Sequence, residues 1–281
     1  MDKTHRMLSA VLSCLIILLG SCNHAPTKNY TGSTPANAAV VRDFLNIPRT
    51  DSVDFIRWKL QLNNGEFQLI CNYGIGKPNT NGFYNGGKAI QLKGKFIALG
   101  NDIILQNAGK SLRMVELNED LLHIADNSEH LLVGTGGWSY TLNTLSPLHS
   151  SHVNLKANMG TVTDSLVYVG RTPCGVPGVV EPGKECYKLK WKIIFYPISN
   201  TLHYGRYKIL STAYRTQIGK TGTWRLIHGK DDRIIIEMNN DEETNYIYLV
   251  KLDEEVLIFS DGEGKLLVGN EDFSYTINRV H

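Results

Sequence analysis

Thiols, imidazoles, thioethers and one repeated Ser-Tyr pair are the side chains here whose types and spacing could do chemistry. Cys174 and Cys186 bracket a stretch with two internal Pro and three Gly, and no His adjoins either Cys. In an oxidising compartment they are the natural disulfide pair, and a thiolate metal or redox site is the competing use of the same atoms. His149-Ser-Ser-His152 has ligand spacing only on a helix, whereas Pro147 and the two Ser argue for an extended linker. Beyond the N-terminal leader the thioethers are Met114, Met159 and Met238, too scattered for a soft-metal cluster. Ser139-Tyr140 recurs as Ser274-Tyr275, which would suit a nucleophile and a base. No Gly-x-Ser-x-Gly elbow surrounds either copy and no triad partner can be placed. The expectation is a non-enzyme with no cofactor, no metal site and no catalytic residue.

One thiol has an address. Lys3, His5 and Arg6 form a basic head, Met7 to Leu19 is apolar, and Leu19-Gly20-Ser21-Cys22 follows. That is the layout of a secretory signal peptide, with an apolar run too short to span a bilayer that needs roughly 20 residues. Its ending resembles the bacterial lipobox, in which small residues admit the peptidase and the Cys thiol forms a thioether to lipid. The expectation is a signal peptide over 1–21, lipidation at Cys22 and a polar tether over 22–29. Several acyl chains on one residue hold a protein far more firmly than a single chain. Asn23 after the Cys favours, by resemblance, delivery to the outer membrane. Cys14 leaves with the signal. Cys71 in Phe67-Gln-Leu-Ile-Cys71 is expected to be buried and inert.

The formal charge is +2, and about +1 once Asp2, Lys3 and Arg6 are gone. With no basic block of five or more, nucleic acid is excluded as a partner.

The elements that must carry these groups come in two copies. Leu131–Asn143 reads LLVGTGGWSYTLN and Leu266–Asn278 reads LLVGNEDFSYTIN, eight of thirteen positions being identical. Tyr30-Thr-Gly-Ser-Thr34-Pro35 is answered by Tyr168-Val-Gly-Arg-Thr172-Pro173. Ile56-Arg-Trp58-Lys59-Leu60 is answered by Leu189-Lys-Trp191-Lys192-Ile193, and Leu117-Asn-Glu-Asp by Leu252-Asp-Glu-Glu. Four blocks in one order mean a duplicated unit, and self-similarity of this kind decides the architecture before any local motif does. Between the blocks, short alternating runs predict strands: 58–62, 66–70, 95–99, 103–105 and 112–117 in the first unit. In the second they are 189–196, 203–212, 223–228, 233–238, 245–252 and 255–259. Turn signals such as Asn63-Asn-Gly65 and Ser260-Asp-Gly262 separate them. Asp126 and Asp261 read as turn formers, and Asn240-Asp-Glu-Glu243 as a solvated hairpin tip. Alternation puts Tyr140, Leu142, Tyr275 and Ile277 on the core face of a closing strand and Ser139, Thr141, Ser274 and Thr276 on the other. Trp58 and Trp191 are expected to plug the barrels. A helix is expected over 36–45, capped by Thr34 with Pro35 in its first turn. The equivalent segment of the second unit is the 174–186 loop, which a disulfide would close.

Val169-Gly-Arg-Thr-Pro-Cys174, Cys186-Tyr-Lys-Leu-Lys-Trp191 and the terminal Leu266-Leu-Val-Gly resemble the NlpE-type envelope lipoproteins. The resemblance implies small lipocalin-like barrels, and links to copper resistance and to an envelope stress response. It departs at the cysteines: the enterobacterial pattern is Cys-x-x-Cys after the Pro, whereas here the partner waits until Cys186. The first unit has Ala36 and Val53 in those places, so a role that needs a close dithiol is not implied. The expected architecture is all-β: two tandem antiparallel lipocalin-like barrels, over 30–145 and 165–281, joined by a linker over 146–164. The expected function is non-catalytic binding or sensing at a Gram-negative envelope, through the lipid anchor and an envelope protein partner. The alternative is a carrier holding a small apolar ligand inside a barrel.

Overall fold

The computed structural model describes residues 26–149, 152–155, 165–179, 185–198, 203–212, 219–240 and 245–281. Alternating apolar side chains need an enclosed face, and the chain supplies one twice by curling a meander onto itself. The first eight strands are β1 (Lys28–Pro35), β2 (Phe55–Asn63), β3 (Glu66–Gly74), β4 (Lys88–Leu99), β5 (Asp102–Asn107), β6 (Lys110–Asn118), β7 (Leu121–Ala125) and β8 (Thr141–Thr144). They pair in sequence order, and β8 returns to β1, so the barrel is closed and antiparallel. The second eight repeat this: β9 (Leu166–Thr172), β10 (Leu189–Pro197), β11 (Tyr204–Ser211), β12 (Lys220–His228), β13 (Ile234–Asn240), β14 (Tyr246–Lys251), β15 (Val256–Ser260) and β16 (Thr276–Val280), with β16 returning to β9. Closure removes the free strand edges that an open sheet would expose. Asn64 and Gly65 both take positive φ, as the expected tight hairpin between β2 and β3 requires.

The matched blocks have matched jobs. Trp58 and Trp191 are buried, and their indole Nε1–H groups donate to the hydroxyls of Thr34 (2.8 Å) and Thr172 (2.9 Å). Each of those hydroxyls donates onward to the carbonyl of the following Pro. Gly-x-Thr-Pro is thus the acceptor for the tryptophan that fills each barrel. Tyr30 and Tyr168 donate to the carbonyls of Glu119 and Glu254, tying the opening strand to the turn before the penultimate one. The glycine of the same block is needed for close approach: a Cβ on Gly32 would lie 2.9 Å from Leu142, and one on Gly170 2.6 Å from Ile277.

The helix α1 is shorter than expected, Ala39–Leu45, and it starts later. Thr34 and Pro35 remain in β1, because the Thr hydroxyl is already committed to Trp58. The residue before the helix is Ala38, which has no side chain to cap with, and the closing strand does that work instead. The Tyr140 hydroxyl accepts the Ala38 N–H (3.1 Å) and donates to Asn37 Oδ1 (2.7 Å). In the second barrel Tyr275 donates to the Cys174 carbonyl, holding the disulfide-closed segment in the corresponding place. One tyrosine position therefore secures a helix in one copy and a stapled loop in the other. Asp126 and Asp261 are turn formers: one oxygen of each accepts the N–H groups two and four residues on.

Thr172→Val should destabilise the protein by about 1–3 kcal/mol, since it strands a buried indole N–H. Chemical denaturation of the variant against the wild type measures it.

Candidate functional site

The outward faces of the closing strands are not exposed. Ser139, Thr141, Asn143, Ser274, Thr276 and Asn278 are all buried, because each barrel covers the other there. Sequence alternation put the tyrosines on the core face and the Ser/Thr residues on the opposite one, without showing what that second face meets. It is a seam between barrels. The Ser139 hydroxyl meets that of Ser274 at 2.6 Å, and Thr141 meets Thr276 at 2.8 Å, each residue facing its own counterpart. The Gly134 N–H donates to Asn278 Oδ1 (2.8 Å), and reciprocally the Gly269 N–H donates to Asn143 Oδ1 (2.8 Å). Contacts in which residue i meets j' while j meets i' are the signature of two-fold symmetry. Four of the eight identical positions of the repeated stretch, Gly134/Gly269, Ser139/Ser274, Thr141/Thr276 and Asn143/Asn278, therefore touch across a pseudo-two-fold axis. Gly134 and Gly269 have no room for a side chain: a Cβ would lie 2.3 Å and 2.2 Å from the carbonyls of Trp138 and Phe273. Around this polar centre, Val115, Leu117, Leu121, Ala125 and Leu131 of the first barrel join the apolar cluster of the second.

The rim of the seam is charged and aromatic, and it is less symmetric. Asp272 accepts from Arg57 (2.5 Å) and from Asn81 (2.5 Å) of the other barrel, and Ser33 donates to the Glu271 carbonyl (2.8 Å). Trp138 stacks on Phe55, which stacks on Phe83, and the Arg171 guanidinium from the second barrel lies over the Trp138 ring at 5.5 Å.

One titratable group reaches the centre of the seam. His123 on β7 is fully buried, with Nδ1 2.8 Å from Thr141 Oγ1 and Nε2 2.9 Å from the Leu132 carbonyl. A carbonyl can only accept, so the proton sits on Nε2 and Nδ1 accepts from Thr141. The Thr141 oxygen is then left to accept from Thr276. A single directed chain of hydrogen bonds runs from the second barrel into the core wall of the first. Burial disfavours the imidazolium and lowers the His123 pKa to about 4. The matched position in the second unit is Ile258, so this group breaks the symmetry. The sequence reading passed over it: a lone His in an apolar run carries no spacing signal.

The barrel interiors are the second candidate. Trp58, Tyr30, Phe67, Leu60, Leu69 and Leu105 lie in one buried cluster of the first barrel. In the second barrel Leu166, Tyr168, Phe195, Trp224, Leu257 and their neighbours leave a cavity of about 40 Å³. That is room for a water molecule or two, far below the roughly 300 Å³ of an ordinary ligand site. A larger depression, about 820 Å³, is an open surface groove beside α1, lined by Val40, Asp43, Phe44, Lys110, Asp126 and Ser128. It lies at the pole where α1 covers the barrel and where the β5–β6 turn brings Lys110 onto the Asp43 carbonyl.

The remaining sequence candidates fall as follows. Cys174 and Cys186 are joined, with Cα atoms 5.9 Å apart. Cys71 is free and buried, and burial pushes its thiol pKa well up, away from reactivity. Met114 and Met238 are buried in separate barrels. No cluster of three or more His, Cys, Asp or Glu able to hold a metal occurs among the described residues. Cys22, Met159 and residues 241–243 of the acidic tip lie outside the described residues. Comparison with family models, with curated proteins and with solved structures finds no match to this chain.

The His123 shift sets a pH dependence. With a folded-state pKa of about 4 against an unfolded value near 6.5, the unfolded chain takes the proton first as pH falls. Stability is complete above about pH 6.5, declines towards pH 4, and loses about 3 kcal/mol over that window. His123→Gln keeps a donor and an acceptor but cannot titrate, so denaturation curves at pH 7 and pH 4 should differ less by about that amount.

Proposed function

We propose that the protein is a lipid-anchored bacterial envelope protein of the NlpE type, attached through Cys22, which binds or senses an envelope partner and catalyses nothing. The observation that carries this reading is Leu19-Gly-Ser-Cys22 after a basic-headed apolar run, only six residues before a folded barrel begins at Lys28. The Cys174–Cys186 disulfide supports an oxidising compartment. Both barrels are largely filled by their own side chains, which argues for recognition on mouths and loops rather than carriage inside. The open groove beside α1, about 820 Å³, offers such a partner a surface depression at that mouth. Of the two roles that the family resemblance implies, envelope sensing fits better than copper handling. Cys174 and Cys186 are consumed in a bond, and Met114 and Met238 are buried apart. An outer-membrane destination follows from Asn23 by the same resemblance.

Mass spectrometry of the N-terminal peptide from a bacterial host should find Cys22 as the first residue, carrying a diacylglyceryl thioether. Cys22→Ala should move the protein from the membrane pellet to the soluble fraction. An unmodified Cys22 within an uncleaved or differently cleaved chain would contradict the reading.

A further inference from the structure

We propose that the pole of the first barrel opposite α1 is a lipid-contacting surface, through which the protein rests on the bilayer that anchors it. This inference rests on the anchoring reading and adds an orientation to it. The length of the tether sets the constraint. From Cys22 to Lys28 is six residues, which reach about 20 Å when fully extended. A barrel tied that closely stays within about 20 Å of the lipid surface, and the pole where β1 begins is the end held nearest to it.

That face can be identified from the contacts around Lys28 and Asn29. The Lys28 ammonium pairs with Glu116, and the Glu116 N–H donates to the Asn101 carbonyl (2.7 Å), which places the β4–β5 turn there. The Leu145 N–H donates to the Asn29 carbonyl (3.1 Å), and the Leu148 N–H donates to the Asp120 carboxylate (2.7 Å), which places the start of the linker there. The β5–β6 turn, α1 and the groove lie at the other end.

The side chains at this pole are unusual for a surface turned to water. Leu99 is 59% exposed, Leu145 66% and Leu148 76%, the three most exposed large apolar residues among the described residues of the first barrel and its linker. Ile97 shares the outer face of β4 with Leu99 and is 41% exposed, and Lys93 and Lys95 precede it on that face. Scattered exposed leucines need no explanation. Three on the one pole that the tether holds nearest to lipid do, because exposed apolar side chains collected at one end of a barrel mark a contact. Glu116, Glu119 and Asp120 share the pole, so attraction to anionic lipid is not what holds it there. The partner is the apolar boundary of the bilayer, with leucines dipping past the headgroups and the lysine stripe of β4 reaching towards them. The α1 mouth and its groove then face away from the membrane, free for a protein partner.

The test is amide hydrogen exchange on the lipidated full-length protein in phosphatidylcholine vesicles, compared with the Cys22→Ser protein in solution. Peptides covering 97–102 and 144–149 should exchange about threefold or more slowly on vesicles, while 75–87 at the opposite pole stays unchanged. The triple variant Leu99→Asp, Leu145→Asp, Leu148→Asp, at sites too exposed to matter for folding, should lose that protection while remaining lipidated. Equal exchange at both poles on a protein shown to carry lipid at Cys22 would overturn this inference alone. A protein without lipid at Cys22 would overturn the anchoring reading and this inference with it.

Discussion

The structure depends on two closed barrels burying the outer faces of their closing strands against each other. Ser139 against Ser274 and Thr141 against Thr276 are short hydroxyl pairs in a setting from which water is excluded. A buried hydroxyl without a partner costs about 1–3 kcal/mol, so each barrel alone would carry a row of unsatisfied or re-solvated groups. Asn143 and Asn278 add the reciprocal bonds to Gly269 and Gly134. The polar centre fixes register and the apolar surround supplies the burial. The two halves are thus joined by more than a linker.

The same constraint explains why the repeated stretch resisted change while the opening segments diverged. Residues at the seam must match both their own barrel and their counterpart, and alternate residues must fill the core. Tyr140 and Tyr275 need only a carbonyl or amide within reach of a hydroxyl, which a helix N-terminus and a disulfide loop both provide. The mouth of each barrel is therefore free to vary, and the two copies have used that freedom differently. His123 marks a second divergence, since only the first barrel extends the hydroxyl chain inward to an imidazole. The exposed leucines at the near pole and the groove at the far pole fit the membrane orientation proposed above for a chain lipidated at Cys22.

Much of this fold is legible in the sequence because strand alternation and duplication are both local or pairwise signals. Trp58 and Trp191, Asp126 and Asp261, and the Cys174–Cys186 bond lie where residue type and spacing put them. The seam was not legible. The alternation of Ser, Tyr, Thr and Leu in 139–142 distinguishes two faces of a strand but not whether the polar one meets water or another hydroxyl. The start of α1 was misplaced for a similar reason: Thr34 and Pro35 are good helix-opening residues, but a tryptophan distant in sequence had already claimed the threonine. The strand β7 escaped notice because both of its faces are buried, leaving no alternation to read.

The coupling between Thr141 and Thr276 tests the seam most directly. Unfolding free energies of Thr141→Val, Thr276→Val and the double variant complete a thermodynamic cycle for that pair. If the barrels are held by these reciprocal contacts, the double variant loses less than the sum of the singles, with a coupling of about 1 kcal/mol or more. Additivity within about 0.3 kcal/mol would mean the two hydroxyls do not depend on each other, and would contradict the joined-barrel structure described above.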